Sequence, residues 1–302
     1  MPPASPDVPA LLVLVGPTAS GKTALSLRLA DRLGGEVVSA DSVQVYRGFD
    51  IGSGKPTPEE RARVPHHLVD VRDATEPLDA AAWAALADTA IADIRARGRV
   101  PIVCGGTFLW VRALLHGLSP VPPADPGVRA RHSRLVEAQG RAALHAELAR
   151  VDPEAAARLA PNDTVRVSRA LETFELTGVP QTKWHAEHAF KDVRHPARLV
   201  GIRHSSDELT ERIRARVNGM LDAGFVEEVR ALAAAGYRDT RPMQSVGYRE
   251  VLAALDAGAL DRALLAESIV RATRIFARRQ RTWLREQPVL WLTEDEADRF
   301  SG

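Results

Sequence analysis

The sequence predicts an α/β fold: a parallel sheet core flanked by helices, carrying an all-helical insertion. Three observations predict it. Leu11 to Val15 is an unbroken apolar run, the pattern of a strand buried on both faces. Directly after it stands Gly16-Pro17-Thr18-Ala19-Ser20-Gly21-Lys22-Thr23, which fits the phosphate-binding pattern G-x-x-x-x-G-K-[ST] without a mismatch. From about residue 122 to 196 the chain reads as helix after helix, between two stretches with strand signals.

The glycine loop comes with its proper context. Ala24, Leu25, Leu27, Leu29, Ala30 and Leu33 repeat at helical spacing behind it, and Gly34-Gly35 can end that helix. Strand, loop and helix N-terminus make an anion site, because loop N–H groups point inward and the helix dipole favours negative charge. The core is therefore P-loop NTPase-like. Lys22 adds a mobile positive charge, and the Thr23 hydroxyl is a candidate ligand for Mg²⁺. Lysine is scarce: Lys22, Lys55, Lys183 and Lys191 are the only ones among 40 basic residues, which argues against an incidental lysine inside the glycine loop.

The remaining elements follow in order. Glu36 to Ala40 is a second strand, ending at Asp41-Ser42-Val43-Gln44-Val45-Tyr46. Ligands of open parallel sheets sit beyond the carboxyl ends of strands, so Asp41 either caps a turn there or does chemistry. Ile51 to Pro56 is a loop in which Lys55 is expected to be solvated rather than anion-binding. His66 to Val71 reads as a short strand, its paired histidines structural. Residues 79 to 97 form an alanine-rich helix closed by Gly98. Val100 to Cys104 is a third buried strand, ending in the turn Gly105-Gly106-Thr107. A proline-rich linker from Ser119 then marks a boundary. In the insertion, Pro153 and Pro161 are expected to start helices, and Arg166 and Arg169 share a helix face. Arg198 to Ile202 returns to strand. Residues 207 to 235 are one long helix, or two broken near Gly224, and Val289 to Leu292 is a last short strand. The domain boundaries are thus 1–121 with 197–302 for the core and 122–196 for the insertion.

Composition narrows the function. The chain has 302 residues, 45% hydrophobic and 26% charged, with a formal net charge of +1, so any nucleic-acid role must rest on local clusters. Such a cluster exists: Arg271 to Arg285 holds six arginines and no carboxylate, with Arg271, Arg274, Arg278, Arg281 and Arg285 stepping along one helix stripe. The single cysteine, Cys104, suits a reducing, cytoplasmic setting. No apolar run approaches the ~20 residues of a membrane span. Met1 to Ala10 reads as a flexible start without a signal-peptide core. Nothing calls for an obligate dimer, so a monomer is expected. No strand ends in a clear Walker-B aspartate, which weakens a motor ATPase or GTPase; Asp41 and Asp70 are partial substitutes. From the residues alone, the chain is an enzyme that grips a diphosphate or triphosphate with Mg²⁺ and carries a helix suited to a nucleic-acid backbone. A small-molecule kinase remains open.

Seven segments, in order along the chain, resemble the tRNA dimethylallyltransferases, also called tRNA isopentenyltransferases. They are Gly16 to Thr23, Asp41 to Tyr46, Asp50 to Pro56, Gly105 to Thr107, Asn162 to Glu172, Val246 to Arg249 and Thr273 to Arg285. Trp110 stands where a tyrosine is more usual. The resemblance implies transfer of a dimethylallyl group from dimethylallyl diphosphate to N6 of the adenosine at tRNA position 37, with release of diphosphate. A prenyltransferase acting on free adenine nucleotides is the nearest alternative. The resemblance implies that Gly16, Pro17, Thr18, Ala19, Ser20, Gly21, Lys22 and Thr23, with Arg249, hold the diphosphate, and that Asp41, Thr107 and Lys22 are catalytic. It further implies that Asp41, Ser42, Val43, Gln44, Thr107 and Arg129 touch tRNA. So would Val165, Arg166, Val167, Ser168 and Arg169 of the insertion, which would clasp the anticodon stem-loop. The same holds for Gln244, Ser245, Val246, Gly247, Tyr248 and Arg249, and for Arg278, Arg279, Gln280, Arg281, Thr282, Trp283, Leu284 and Arg285. The target base must leave its stack to meet the donor.

Overall fold

The computed structural model describes residues 10–258 and 260–301. The expected flexible start therefore lies, but for Ala10, outside the described residues. Those within Met1–Leu115 and Arg194–Gly302 form one compact unit, and those within His116–Val193 form another.

The first unit is built on six parallel strands, β1 (Leu11–Val15), β2 (Gly35–Ala40), β3 (His66–His67), β4 (Val100–Gly105), β5 (Ala197–Ile202) and β6 (Val289–Leu292), in the order β3-β2-β4-β1-β5-β6. Around them run α1 (Lys22–Leu33), α2 (Pro58–Arg63), α3 (Ala80–Ala96) and α4 (Phe108–His116). The second unit holds α5 (Pro126–Gln139), α6 (Arg141–Val151), α7 (Pro153–Arg158), α8 (Thr164–Thr177) and α9 (Gln181–His188). The chain then returns to the first unit with α10 (Ser206–Asp222), α11 (Phe225–Leu232), α12 (Tyr248–Asp256), α13 (Arg262–Leu284) and α14 (Glu294–Arg299). The α/β expectation is met, with a wholly parallel sheet.

Register explains why three separate motifs meet. Val15 of β1 and Ala40 of β2 both pair with Gly105 of β4. The three strands therefore end level, and the residues that follow (Gly16, Asp41 and Gly106) leave the sheet side by side. Gly105 has to be glycine, since a Cβ there would stand 2.2 Å from the Ala40 carbonyl oxygen. Leu12, Leu14, Leu25, Leu29, Ile102 and Val200 pack as one apolar cluster that locks α1 onto the sheet. Trp110 is buried and stacks on Trp83 of α3 at 5.2 Å, so a tryptophan is accommodated as part of the core.

Some expectations change. The strand expected over His66 to Val71 keeps only its first two residues, because Leu68 and Asp70 adopt left-handed backbone (φ 62° and 60°) that no strand continues. Pro161 lies in a turn, and α8 starts later, capped by the Asp163 carboxylate on the Arg166 N–H. Pro153 does begin α7. Lys55 is not solvated. Its side chain is 5% exposed and donates to the Tyr46 carbonyl (2.7 Å), Asp50 (2.6 Å) and Asp70 (2.5 Å). Asp70 is thereby committed to Lys55 and Arg61.

The helical unit has its own core of Leu144, Leu148, Ala155, Val167, Ala170 and Leu171. Two buried carboxylates organise it. Asp152 caps α7 and also accepts from the Thr182 N–H and hydroxyl. Glu172, fully buried, accepts from Arg129, Arg169 and the Asp125 N–H.

Candidate active site

The phosphate loop leaves β1 and wraps onto the N-terminus of α1. Ala19 takes a left-handed conformation (φ 63°), as does Gly21, which precedes the helix. Alternation of this kind turns successive N–H groups toward a common concavity. A Cβ on Gly16 would lie 2.6 Å from the Ser20 hydroxyl, which itself is buried and makes no hydrogen bond. The Lys22 ammonium donates to the Pro17 carbonyl at 2.7 Å, closing the loop on itself.

Beside the loop is a cavity of about 310 Å³, within the first unit. Its polar lining includes Thr18, Lys22, Thr23, Asp41, Thr107 and Arg216. Ile213, Val217, Met220, Ile269 and Phe276, from α10 and α13, give it an apolar wall. Arg216 was not singled out by its sequence neighbourhood. It donates to the Ser53 carbonyl at 3.2 Å, a single bond for a group with five N–H donors. Burial pushes its guanidinium pKa down, and the charge of Asp41 opposes that shift. Burial likewise lowers the Lys22 ammonium to about 8, helped by the positive Arg216 and opposed by Asp41. Two desolvated cations sharing one concavity are unfavourable to each other and favourable to a multiply charged anion. Helical spacing puts Arg216 at the edge of the α10 stripe of Leu209, Ile213, Val217 and Leu221, but it does not say what that edge faces.

Asp41 and Thr107 are brought together as expected. One oxygen of Asp41, Oδ1, accepts from the Val43 and Gln44 N–H groups at 2.9 and 3.3 Å. These bonds fix the carboxylate at the cavity and leave Oδ2 free to accept a proton. The Thr107 hydroxyl accepts from the Ser42 N–H at 3.0 Å, so its own proton remains available. Gln44 also lines the cavity, but its amide is used internally: it accepts from the Ser39 hydroxyl and donates to the carbonyls of Ser53 and Gly54. It ties Asp41's turn to the loop that holds Arg216.

That loop is held from behind by Glu228 of α11, which no sequence motif flagged. Its carboxylate accepts from the N–H groups of Asp50, Ile51 and Gly52 and from the Tyr248 hydroxyl. Tyr248 is consequently buried, and its phenol pKa is raised by burial and by the Glu228 charge.

Other expected residues are placed differently. Arg249 is half-exposed, paired with Glu250 at 2.6 Å, and faces a second cleft with Arg271 and Arg279 rather than the main cavity. Gln244, Ser245, Val246 and Gly247 do line the main cavity. On α13, Arg271, Arg274, Arg278 and Arg279 are exposed, as is Arg285 just past its end, and none pairs with an acid among the described residues. Arg281 donates to the Ser206 hydroxyl. Trp283 stacks on Phe108 at 4.5 Å with nearly parallel rings, and Thr282 bonds back to the Arg278 carbonyl. Gln280 and Leu284 lie on the opposite, buried side of that helix. In the helical unit, Val165 is 81% exposed and Arg166 is exposed and paired with Asp163, whereas Val167 belongs to the core. Ser168 is bonded to His132, and Arg129 and Arg169 to Glu172. The side chains of Val167 and Leu284 are therefore withdrawn from the surface, and Tyr248 is buried although it borders the main cavity. Helix periodicity accounts for it, since a motif taken as a block includes both faces of its helix.

Phosphate loop, paired cations, apolar wall and a positioned carboxylate define a P-loop enzyme that binds an anionic group next to an apolar one. Comparison with known proteins gives the family. The model of the IPP transferase family matches residues 44–287. A tRNA dimethylallyltransferase from Sorangium cellulosum is 64% identical over 93% of this chain and 90% of its own length. One from Anaeromyxobacter sp. is 52% identical, covering 93% and 94%. Among solved structures, the tRNA isopentenylpyrophosphate transferase of Bacillus halodurans is 39% identical with a TM-score of 0.68, covering 94% of this chain and 89% of that one. A eukaryotic dimethylallyltransferase acting on tRNA is 26% identical with a TM-score of 0.76, covering 94% and 74%. The chain belongs to the tRNA dimethylallyltransferase family.

Proposed function

We propose that the chain, acting as a cytoplasmic monomer, prenylates tRNA by moving a dimethylallyl group from dimethylallyl diphosphate to N6 of the adenosine at position 37. Membership of the family supports tRNA prenylation. The observation that carries the detailed reading is the joint lining of one cavity by Lys22, Arg216, Asp41, Thr107 and the apolar wall of α10 and α13. The diphosphate takes the loop N–H groups, Lys22 and Arg216. The five-carbon group takes the apolar wall. The acceptor amine meets Asp41.

The chemistry balances with these groups. The N6 nitrogen forms a bond to the allylic carbon as the carbon–oxygen bond to diphosphate breaks. The N6 lone pair is delocalised into the purine, so the amine becomes a better nucleophile as it sheds its proton. Oδ2 of Asp41 receives that proton. The Thr107 hydroxyl donates a hydrogen bond to the acceptor base and keeps its proton. Charge accumulating on the departing oxygen is met by preorganised donors in a site with restricted water.

A magnesium ion fits this arrangement. Among the described residues no cluster of three His, Cys, Asp or Glu is set to hold a metal, and the Thr23 hydroxyl makes no hydrogen bond. Magnesium commonly takes one or two protein oxygens and completes its shell with substrate phosphates and water, so Thr23 would hold it against the diphosphate. When bound, it neutralises charge on the leaving group.

The test is Asp41→Ala and Asp41→Asn. Both should lower kcat by about 10²–10⁴-fold, the usual range for a general base. The Kd for an unmodified anticodon stem-loop should stay near the wild-type value. A variant that loses RNA binding while keeping kcat at saturating tRNA would move Asp41 from chemistry to recognition.

A further inference from the structure

Gln280 does something the arginines around it do not. It is 6% exposed, on the inner stripe of α13 with Ala277 and Leu284, both buried apolar residues. A third apolar side chain would suit that stripe. An amide placed there loses water from one donor group and one acceptor, and the cost is met only if both ends are bonded. Both are. Oε1 accepts from the Thr18 N–H of the phosphate loop at 2.9 Å, and Nε2 donates to the Gly106 carbonyl at 3.0 Å. Gly106 leaves room for this bridge, since a Cβ on it would stand 2.5 Å from Nε2. One residue along from Gly106, Thr107 bonds the Ser42 N–H next to Asp41. The amide thus joins the half of the cavity that holds diphosphate to the half that holds Thr107 and Asp41.

We propose that Gln280 is a positioning residue that fixes the separation between the phosphate loop and the Gly106-Thr107 turn, and so aligns donor carbon and acceptor amine. It stands on the same helix as the exposed Arg278 and Arg279, so RNA engaged by those arginines is registered against the donor through one rigid element. This rests on the reading of the cavity given above. It replaces the expectation that Gln280 itself touches tRNA. Reactions of this kind are sensitive to small misalignments, and a displacement of about 1 Å can cost about 10²-fold in rate.

The experiment compares the full-length wild type with Gln280→Leu and Gln280→Glu. It measures transfer of labelled dimethylallyl from its diphosphate to an unmodified tRNA, with KM for each substrate and the thermal midpoint. Gln280→Leu should lower kcat by about tenfold or more while KM for tRNA changes by less than about twofold. Gln280→Glu keeps an acceptor for the Thr18 N–H but sets a carboxylate oxygen against the Gly106 carbonyl. Protonation restores the missing donor, so its kcat relative to wild type should climb as pH falls. The Gln280→Leu ratio should stay flat over the same range. Unchanged kcat in both variants, a raised tRNA KM with kcat intact, or a rate loss equal to the fraction unfolded would each overturn the proposal. A wild type inactive with this donor would instead overturn the reading of the cavity.

Discussion

Two groups of arginines in this chain look alike as sequence and differ as structure. Arg129 and Arg169 of the helical unit converge on Glu172, a carboxylate with no solvent exposure, at 3.1 and 2.7 Å. Their hydrogen bonds hold Glu172 ionised, its pKa lowered against the opposing effect of burial. On α13 and at its C-terminal cap, Arg271, Arg274, Arg278, Arg279 and Arg285 are exposed and have no acid partner among the described residues. The first group spends its charge inside the protein and holds α5 to α8. The second has no such partner, and its charge faces outward, where we propose it meets RNA. A cation's role is read from where the nearest carboxylate lies, not from its density along the chain. Arg216 is a third case: a cation in a cavity wall whose one hydrogen bond goes to the Ser53 carbonyl.

Four outcomes follow from that difference, the largest first. Arg216→Ala should raise KM for dimethylallyl diphosphate by about 10²-fold, roughly 3 kcal/mol of charge-assisted bonding, and leave tRNA affinity near wild type. Steady-state kinetics with each substrate varied would show it; an unchanged donor KM would return Arg216 to a packing role. Glu172→Ala leaves two guanidinium groups without their buried partner and should destabilise the helical unit by about 3 kcal/mol. Denaturant unfolding followed by Trp184 fluorescence reads that directly, and an unchanged midpoint would contradict the assignment.

The third concerns pH. Burial brings the Lys22 ammonium down to about 8. As pH rises through that value the ammonium loses its proton and its hold on diphosphate weakens. The kcat/KM for the donor should therefore fall on the alkaline side of about pH 8, up to about tenfold per pH unit. In Lys22→Arg this alkaline limb should vanish, because a guanidinium stays charged. The smallest effect sets the two arginine groups side by side. Arg278→Ala should weaken tRNA binding a few-fold and flatten its logarithmic salt slope by about 0.7–0.9. Arg129→Ala should leave that slope nearly unchanged. Equal flattening by both would erase the distinction.

Much of this was legible in the sequence, and the reasons are specific. β1 and the phosphate loop are local features: an apolar run followed by glycines at set spacing. The strand ends at Asp41 and Thr107 were legible because an open parallel sheet gathers ligands at one edge, and the register shows them level with Gly16. Arg216, Glu228 and the bridging role of Gln280 were not. Each acts through partners more than 150 residues away in sequence, such as Ser53 for Arg216 and Thr18 for Gln280. Spacing along the chain carries no record of such pairings. Lys55 failed differently: its partners Asp50, Asp70 and the Tyr46 carbonyl are near in sequence, but a glycine- and proline-rich loop has no regular spacing that says they fold around it.

The measurement that bears most directly on the central claim is label transfer. The protein, Mg²⁺ and prenyl-labelled dimethylallyl diphosphate would be divided between unmodified tRNA and AMP, and the labelled product digested to nucleosides. The account predicts label in tRNA alone, recovered as N6-substituted adenosine from position 37. Label in AMP, or in tRNA at any other atom, would contradict it.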